Sequence, residues 1–133
     1  MADTMQFDLV SPERKLASVA ATSVQMPGME GDFTAMPEHS PLLTTLRPGV
    51  VKVEAGADSS EFVVTGGFAE VTPNAASVLA ELAVPRAEFS NEMLEKLVAD
   101  ADYELKEAKG DENRLLASQR VRDVAALKAQ LSL

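Results

Sequence analysis

At 133 residues the chain has room for one domain, or one domain with an appendage, and not for two large ones. Hydrophobic residues make up 46% of it and the mean hydropathy is −0.02, enough apolar surface to offset chain entropy, so wholesale disorder is excluded. A net charge of −9 excludes the basic footprint that nucleic acid requires and disfavours adsorption to anionic lipid, and the lack of cysteine excludes disulfides, thiolate chemistry and cysteine zinc sites.

The opening residues, Met1 to Thr4, carry no basic region followed by an apolar block, so no leader is expected. From Met5 the pattern alternates: Met5, Phe7 and Leu9 face one way, Gln6 and Asp8 the other, which is the period of a half-buried strand. The same period recurs in Thr22, Val24 and Met26, in Val51, Val53 and Ala55 opposite Lys52 and Glu54, and in residues 62–65 and 78–82. Turn signals separate these runs at Ser11-Pro12, Pro27-Gly28, Pro48-Gly49, Ala55-Gly56, Gly66-Gly67 and Pro73-Asn74. Many short strands at this spacing predict an antiparallel sandwich or barrel. The longest uncharged run, Leu16 to Met29, is broken by polar residues and by Pro27 and Gly28. It falls short of the ~20 residues a membrane helix needs, so any membrane association is expected to run through a partner.

After Pro85 the period changes to about 3.6. Phe89, Met93, Leu94, Leu97, Val98, Ala101 and Leu105 make one apolar stripe, with Ser90 or Asn91 available as N-cap. Gly110 ends that helix, Asp111 is placed to cap a second, and Leu116, Ala117, Val121, Val124, Leu127 and Leu131 form the second stripe. The connection is short, which predicts an antiparallel helical hairpin. The fold class is therefore α+β: a β-sandwich over residues 1–86 and a two-helix hairpin over 87–133. Pro85 fixes its own φ and disfavours helix at Val84, which makes it the expected hinge between the two parts.

An enzyme reading fails on inventory. His39 is the sole histidine, so a metal site would need several carboxylates to converge on it, and Ser40, as its chain neighbour, would point to the opposite side of an extended strand. Neither Gly28-Met29-Glu30-Gly31 nor Gly66-Gly67 has the lysine and following helix of a phosphate loop. Glu30 and Asp32 could act as acid and base, but no neighbour in the sequence would drive their pKa values apart, and a solvated rim is the simpler reading. No catalytic residue, metal or cofactor is expected. In the second helix Arg120 falls inside the apolar stripe and Lys128 near its edge. From Asp111 onward four basic residues (Arg114, Arg120, Arg122, Lys128) oppose three acidic ones, a balance of +1 in a chain of −9. Long basic stems can snorkel from such positions, and an acidic partner is the alternative.

The ordered series Phe7-Asp8-Leu9-Val10-Ser11-Pro12-Glu13, Glu30-Gly31-Asp32-Phe33, Met36-Pro37-Glu38-His39-Ser40-Pro41-Leu42-Leu43, Leu46-Arg47-Pro48-Gly49-Val50-Val51, Gly66-Gly67-Phe68-Ala69-Glu70-Val71 and Val78-Leu79-Ala80-Glu81 resembles the epsilon subunit of bacterial F-type ATP synthases, the delta subunit of mitochondrial ones. The resemblance implies a sandwich of about ten strands docked on the gamma subunit and the c ring. Glu30, Gly31, Asp32, His39 and Ser40 would be the ring- and gamma-facing residues. It also implies a non-catalytic rotor role at the cytoplasmic face of the bacterial inner membrane, and a hairpin that restrains ATP hydrolysis by reaching the alpha and beta subunits through Arg114, Arg120, Arg122 and Lys128. Some relatives bind ATP on the hairpin through an aspartate and an arginine; Ser90 and Met93 stand at those positions here. A free-standing adaptor that binds its partner through the hairpin, and a nucleotide-sensing module, are the competing classes.

Overall fold

A computed structural model describes residues 3–131. The chain divides after Arg86 into two compact units. The first is built from β1 (Met5–Val10), β2 (Lys15–Ala21), β3 (Ser23–Gly28), β4 (Gly31–Ala35), β5 (Leu42–Leu46), β6 (Gly49–Ala55), β7 (Asp58–Val64), β8 (Gly67–Val71), β9 (Ala75–Ala80) and β10 (Ala83–Pro85). Hydrogen-bonded neighbours run β10-β7-β6-β3-β5-β8-β9-β1-β2, with β4 also paired to β3. β3 and β5 meet at one register pair, Gly28 opposite Leu46. There the sheet folds over itself, so that β10, β7, β6, β3 and β4 face β5, β8, β9, β1 and β2, and β2 closes across to β6 and β10 at the far side.

The alternating residues fill the space between these layers. Phe7, Leu9, Val24, Met26, Val51 and Val78 are fully buried, and Met5 nearly so. Each large apolar side chain removed from water contributes about 1.5–3 kcal/mol, which is why a period-two pattern selects this register over a one-residue slip. Among the described residues every strand pairing is antiparallel except β1 with β9. A parallel pair needs a long crossover, and the intervening strands supply one.

Two expected boundaries differ. Pro27 and Gly28 are the last residues of β3, and the turn falls at Met29–Glu30. Pro27 follows the last β3–β6 pair, Gln25 opposite Lys52, so its missing N–H costs no ladder bond. Likewise β9 stops at Ala80, and Glu81 and Leu82 form the bend into β10.

A 3-10 turn (Arg86–Glu88) spans the boundary, and the second unit holds α1 (Asn91–Glu107) and α2 (Asp111–Leu131). The N-cap of α1 is Ser90, whose hydroxyl accepts from the Met93 N–H at 3.2 Å. Asp111 is the first residue of α2 and not its cap: the Gly110 carbonyl accepts the Arg114 N–H at 3.0 Å. Leu94, Leu97 and Ala101 of α1 and Ala117, Val124 and Leu127 of α2 are buried, whereas Met93 and Leu116, expected in the stripes, are exposed. Asp123 is buried in Leu116's stead, accepting from Gln119 Nε2 at 2.8 Å.

Candidate functional site

The register gathers the strand ends into two sets. Gly28, Leu46, Gly67 and Ala80 are in line across the sheet, so the turns at Met29–Glu30, Arg47–Pro48, Thr65–Gly66 and Glu81–Leu82 share one end of the sandwich. The Ser11–Arg14 turn joins them, because Val10 is opposite Leu79. The segments 36–41, 56–57 and 72–74 lie at the other end.

Glu30, Gly31 and Asp32 stand at the first end and are exposed. The turn is tight. A Cβ on Gly28 would lie 2.8 Å from the Gly31 carbonyl oxygen and 3.0 Å from the Phe33 ring, so only glycine lets β3 and β4 close this near. Met29 N–H donates to the Thr45 carbonyl at 3.1 Å, and Arg47 fastens the turn from the β5–β6 connection: its N–H donates to the Pro27 carbonyl at 3.0 Å and its Nη1 to the Gly28 carbonyl at 2.7 Å. Arg47 Nη2 also donates to Asp32 Oδ1. Arg47 falls in the Leu46-Arg47-Pro48-Gly49 series but is not among the expected site residues. Its partners lie 15 and 19 positions away, which no local pattern records.

His39 and Ser40 lie at the opposite end, separated from Gly31 by the length of β4, roughly 17 Å at ~3.3 Å per residue. His39 is half-buried and its Nδ1 lies 2.6 Å from the Ser40 carbonyl oxygen, so the ring donates there. The turn is held by Glu38, whose N–H donates to the Pro73 carbonyl at 2.7 Å and whose φ is +68°. The five expected residues therefore lie at opposite ends of the sandwich.

The outer face of β5, β8 and β9 carries an apolar patch that periodicity did not single out, with Phe68 and Leu79 one residue from the Gly28–Leu46–Gly67–Ala80 line and so near the Glu30 end. Thr45 is opposite Phe68 and Phe68 opposite Leu79, so these side chains share a face with Leu43 two residues along β5. Leu43, Phe68 and Leu79 are 67%, 44% and 47% exposed, so they form an apolar patch on the outer face rather than part of the core. On the adjoining β1–β2 face, the Ser18 hydroxyl, Gln6 amide and Lys15 ammonium, in that order save for an opposing effect of burial after the first, hold the Asp8 carboxyl below the usual range.

Pro85 closes β10 opposite Phe62, and the next residue, Arg86, pairs with Glu61 at 2.5 Å. On α2, at about 100° per residue, Arg120 and Lys128 fall on either side of Ala117 and Val124 while Arg114 and Arg122 lie farther round, so the four basic residues span roughly 200°. Arg122 Nη2 donates to Gln119 Oε1 at 2.7 Å. Arg120 instead lines an open groove with Tyr103, Glu104, Glu107 and Leu116, so the four basic residues do not make one face. Among the described residues no group of three or more His, Asp or Glu is placed to hold a metal, and no helix is long and apolar enough to cross a membrane.

Residues 4–86 match the family described as ATP synthase, Delta/Epsilon chain, beta-sandwich domain. The chain is 52% identical, over all of both chains, to the ATP synthase epsilon chain of Ruegeria sp. (strain TM1040). It is 47% identical to that of Paracoccus denitrificans, covering 100% of this chain and 94% of the relative. Among solved structures it matches, with a TM-score of 0.73 and 22% identity over 98% of this chain and 83% of the other, a chain in the Euglena gracilis mitochondrial ATP synthase structure of OSCP, F1 and c-ring. A chain of the Tetrahymena thermophila mitochondrial ATP synthase central stalk and c-ring matches with a TM-score of 0.66 and 19% identity over 92% and 94%. At those identities the structural likeness speaks for the fold.

Proposed function

This chain belongs to the ATP synthase delta/epsilon chain family, and we propose that, as a rotor-stalk subunit of ATP synthase, it is itself non-catalytic and couples the gamma shaft to the membrane ring of c subunits. One observation carries the reading: a single packed sandwich presents two unlike surfaces, an acidic glycine-bearing turn at one end and an apolar patch on the outer face of β5, β8 and β9. A body that must be held by a polar loop on one side and a protein shaft on the other needs that division. In this reading Glu30, Gly31 and Asp32 face the polar loops of the ring. His39, Ser40 and the Leu43–Phe68–Leu79 patch face gamma. The subunit then works peripherally at the cytoplasmic face of the inner membrane, held there by its partners.

The hairpin serves as a restraint on ATP hydrolysis through contacts of Arg114, Arg122 and Lys128 with acidic segments of the alpha and beta subunits, with Arg120 acting from the groove side. The β10 register and the Arg86–Glu61 pair keep Pro85 in the sheet, so the pivot of the hairpin lies just beyond it, before the capped start of α1. The test is reconstitution of an ATP synthase depleted of this subunit. The full chain is expected to restore proton-coupled ATP synthesis, Phe68→Asp to assemble at least tenfold more weakly, and deletion of residues after Arg86 to raise the hydrolysis rate of the assembled enzyme. Restoration by Phe68→Asp at parental concentration would remove the gamma-facing assignment, and an unchanged hydrolysis rate in the assembled deletion would remove the restraint.

A further inference from the structure

Arg47 lies outside the residues that the sequence nominated, yet the acidic turn is built around it. Gly28 and Asp32 stand on the two strands that flank the turn, and one guanidinium bonds both, through Nη1 to the Gly28 carbonyl and Nη2 to the Asp32 carboxylate. The Arg47 backbone N–H to the Pro27 carbonyl adds a third tie. The side chain is 26% exposed, half the value of its Asp32 partner at 50%. A planar fork can hold two acceptors in fixed directions, whereas a lysine ammonium would supply the charge without the geometry. The two acidic residues of the turn therefore have unlike duties. Asp32 is compensated within the chain. Glu30 is exposed at the tip and makes no side-chain hydrogen bond or ion pair among the described residues.

We propose that Arg47 is a positioning residue: it locks the Met29–Asp32 turn, occupies the Asp32 charge, and leaves Glu30 as the carboxylate that meets a basic group on the ring-facing partner. The partner half of this inference rests on the reading that the turn faces the ring. A turn already held in its bound shape loses less freedom on docking, so its lock is felt as affinity. An unpaired carboxylate on that turn acts at longer range and is screened by salt, so its contribution is felt in the salt dependence.

The experiment uses the full chain and its variants Arg47→Ala, Arg47→Lys, Asp32→Asn and Glu30→Gln. Affinity for detergent-solubilised rotor (gamma with the c ring, stripped of this subunit) is measured over a range of NaCl concentrations, together with amide hydrogen exchange of residues 29–32 in the free chain. Arg47→Ala is expected to bind about tenfold more weakly, with faster exchange in the turn and a steeper salt slope, because the freed Asp32 carboxylate joins Glu30. Asp32→Asn should reproduce the faster exchange, Arg47→Lys should fail to restore protection, and the Arg47→Ala/Asp32→Asn pair should exchange no faster than either single change. Glu30→Gln should leave exchange as in the parent while it weakens binding severalfold and flattens the salt slope. Parental exchange and affinity in both Arg47→Ala and Asp32→Asn would overturn the lock, and a parental salt slope in Glu30→Gln would overturn the division of duties. Should Arg47→Ala misfold, Asp32→Asn, which keeps the arginine, decides. Failure of the parent chain itself to bind the rotor would count against the proposed function and the partner half, while the exchange data would still decide the role of Arg47.

Discussion

Replacing Gly67 with alanine should damage the fold far more than replacing Gly56, although both glycines have positive φ. At Gly56 φ is +66° and nothing lies within 4 Å of an added Cβ, so the alanine bears only the left-handed backbone penalty of about 1 kcal/mol. At Gly67 φ is +130°, and the Cβ would lie 2.1 Å from the Leu79 carbonyl oxygen and 2.8 Å from the Ala80 Cα. Both obstacles are backbone of β9, which cannot rotate away as a side chain would. Strain of about 2 kcal/mol at such a φ, with a ladder bond or two lost as β8 and β9 part, brings the expected loss to about 4 kcal/mol. For a chain of 133 residues the unfolding entropy is on the order of 280 cal/mol/K, so the two variants should melt about 4 °C and about 14 °C below the parent. Far-UV circular dichroism is the suitable probe. The single tyrosine, Tyr103, is in α1 and there is no tryptophan, so fluorescence would report the helical unit alone. Equal melting temperatures for the two variants would refute the close approach of β8 and β9.

Ser18→Ala should weaken the hold on ionised Asp8. A depressed carboxyl pKa contributes stability that is present above the unfolded value near ~3.9 and lost as pH falls through the folded one, so the melting-temperature gap to the parent should be widest near neutrality and close below about pH 4; a gap that grows on acidification would contradict this. Ser90→Ala removes the α1 cap and should destabilise the hairpin by about 1 kcal/mol, read as faster hydrogen exchange in residues 91–94, with unchanged protection counting against the cap. ATP should not bind the isolated chain at micromolar concentration. The Ser90 hydroxyl is engaged by the Met93 amide, and the charge-assisted bonds that an aspartate and an arginine would supply are worth about 1.5–3 kcal/mol each; calorimetry that returns a micromolar Kd would overturn this.

The parts legible in the sequence are those where burial imposes a local period. Met5, Phe7 and Leu9, or Val51 and Val53, are read as strands because one face of each is sealed by the other layer. β2 was not legible: it is an edge strand with mostly exposed side chains, so nothing enforces alternation in Leu16 to Ala20. Pro27-Gly28 misled because a proline that breaks a ladder in most strands is harmless where β6 has already left β3. At the candidate site, the exposed carboxylates could be named from the chain, but the guanidinium that arranges them could not. Arg47 acts across a fold-over of the sheet, and such contacts follow from topology. Asp123 reads as polar from its own charge, although it lies within about 40° of Leu127 on α2 and is buried there with a bond from Gln119.

The most direct test of the coupling role is to isolate the native chain by affinity from solubilised membranes of its own cell and to quantify what comes with it. The account predicts gamma and the c ring in unit ratio to the chain, retained through washing and lost together when Phe68 is changed to aspartate. A chain recovered alone, or with a partner that contains neither, would contradict it.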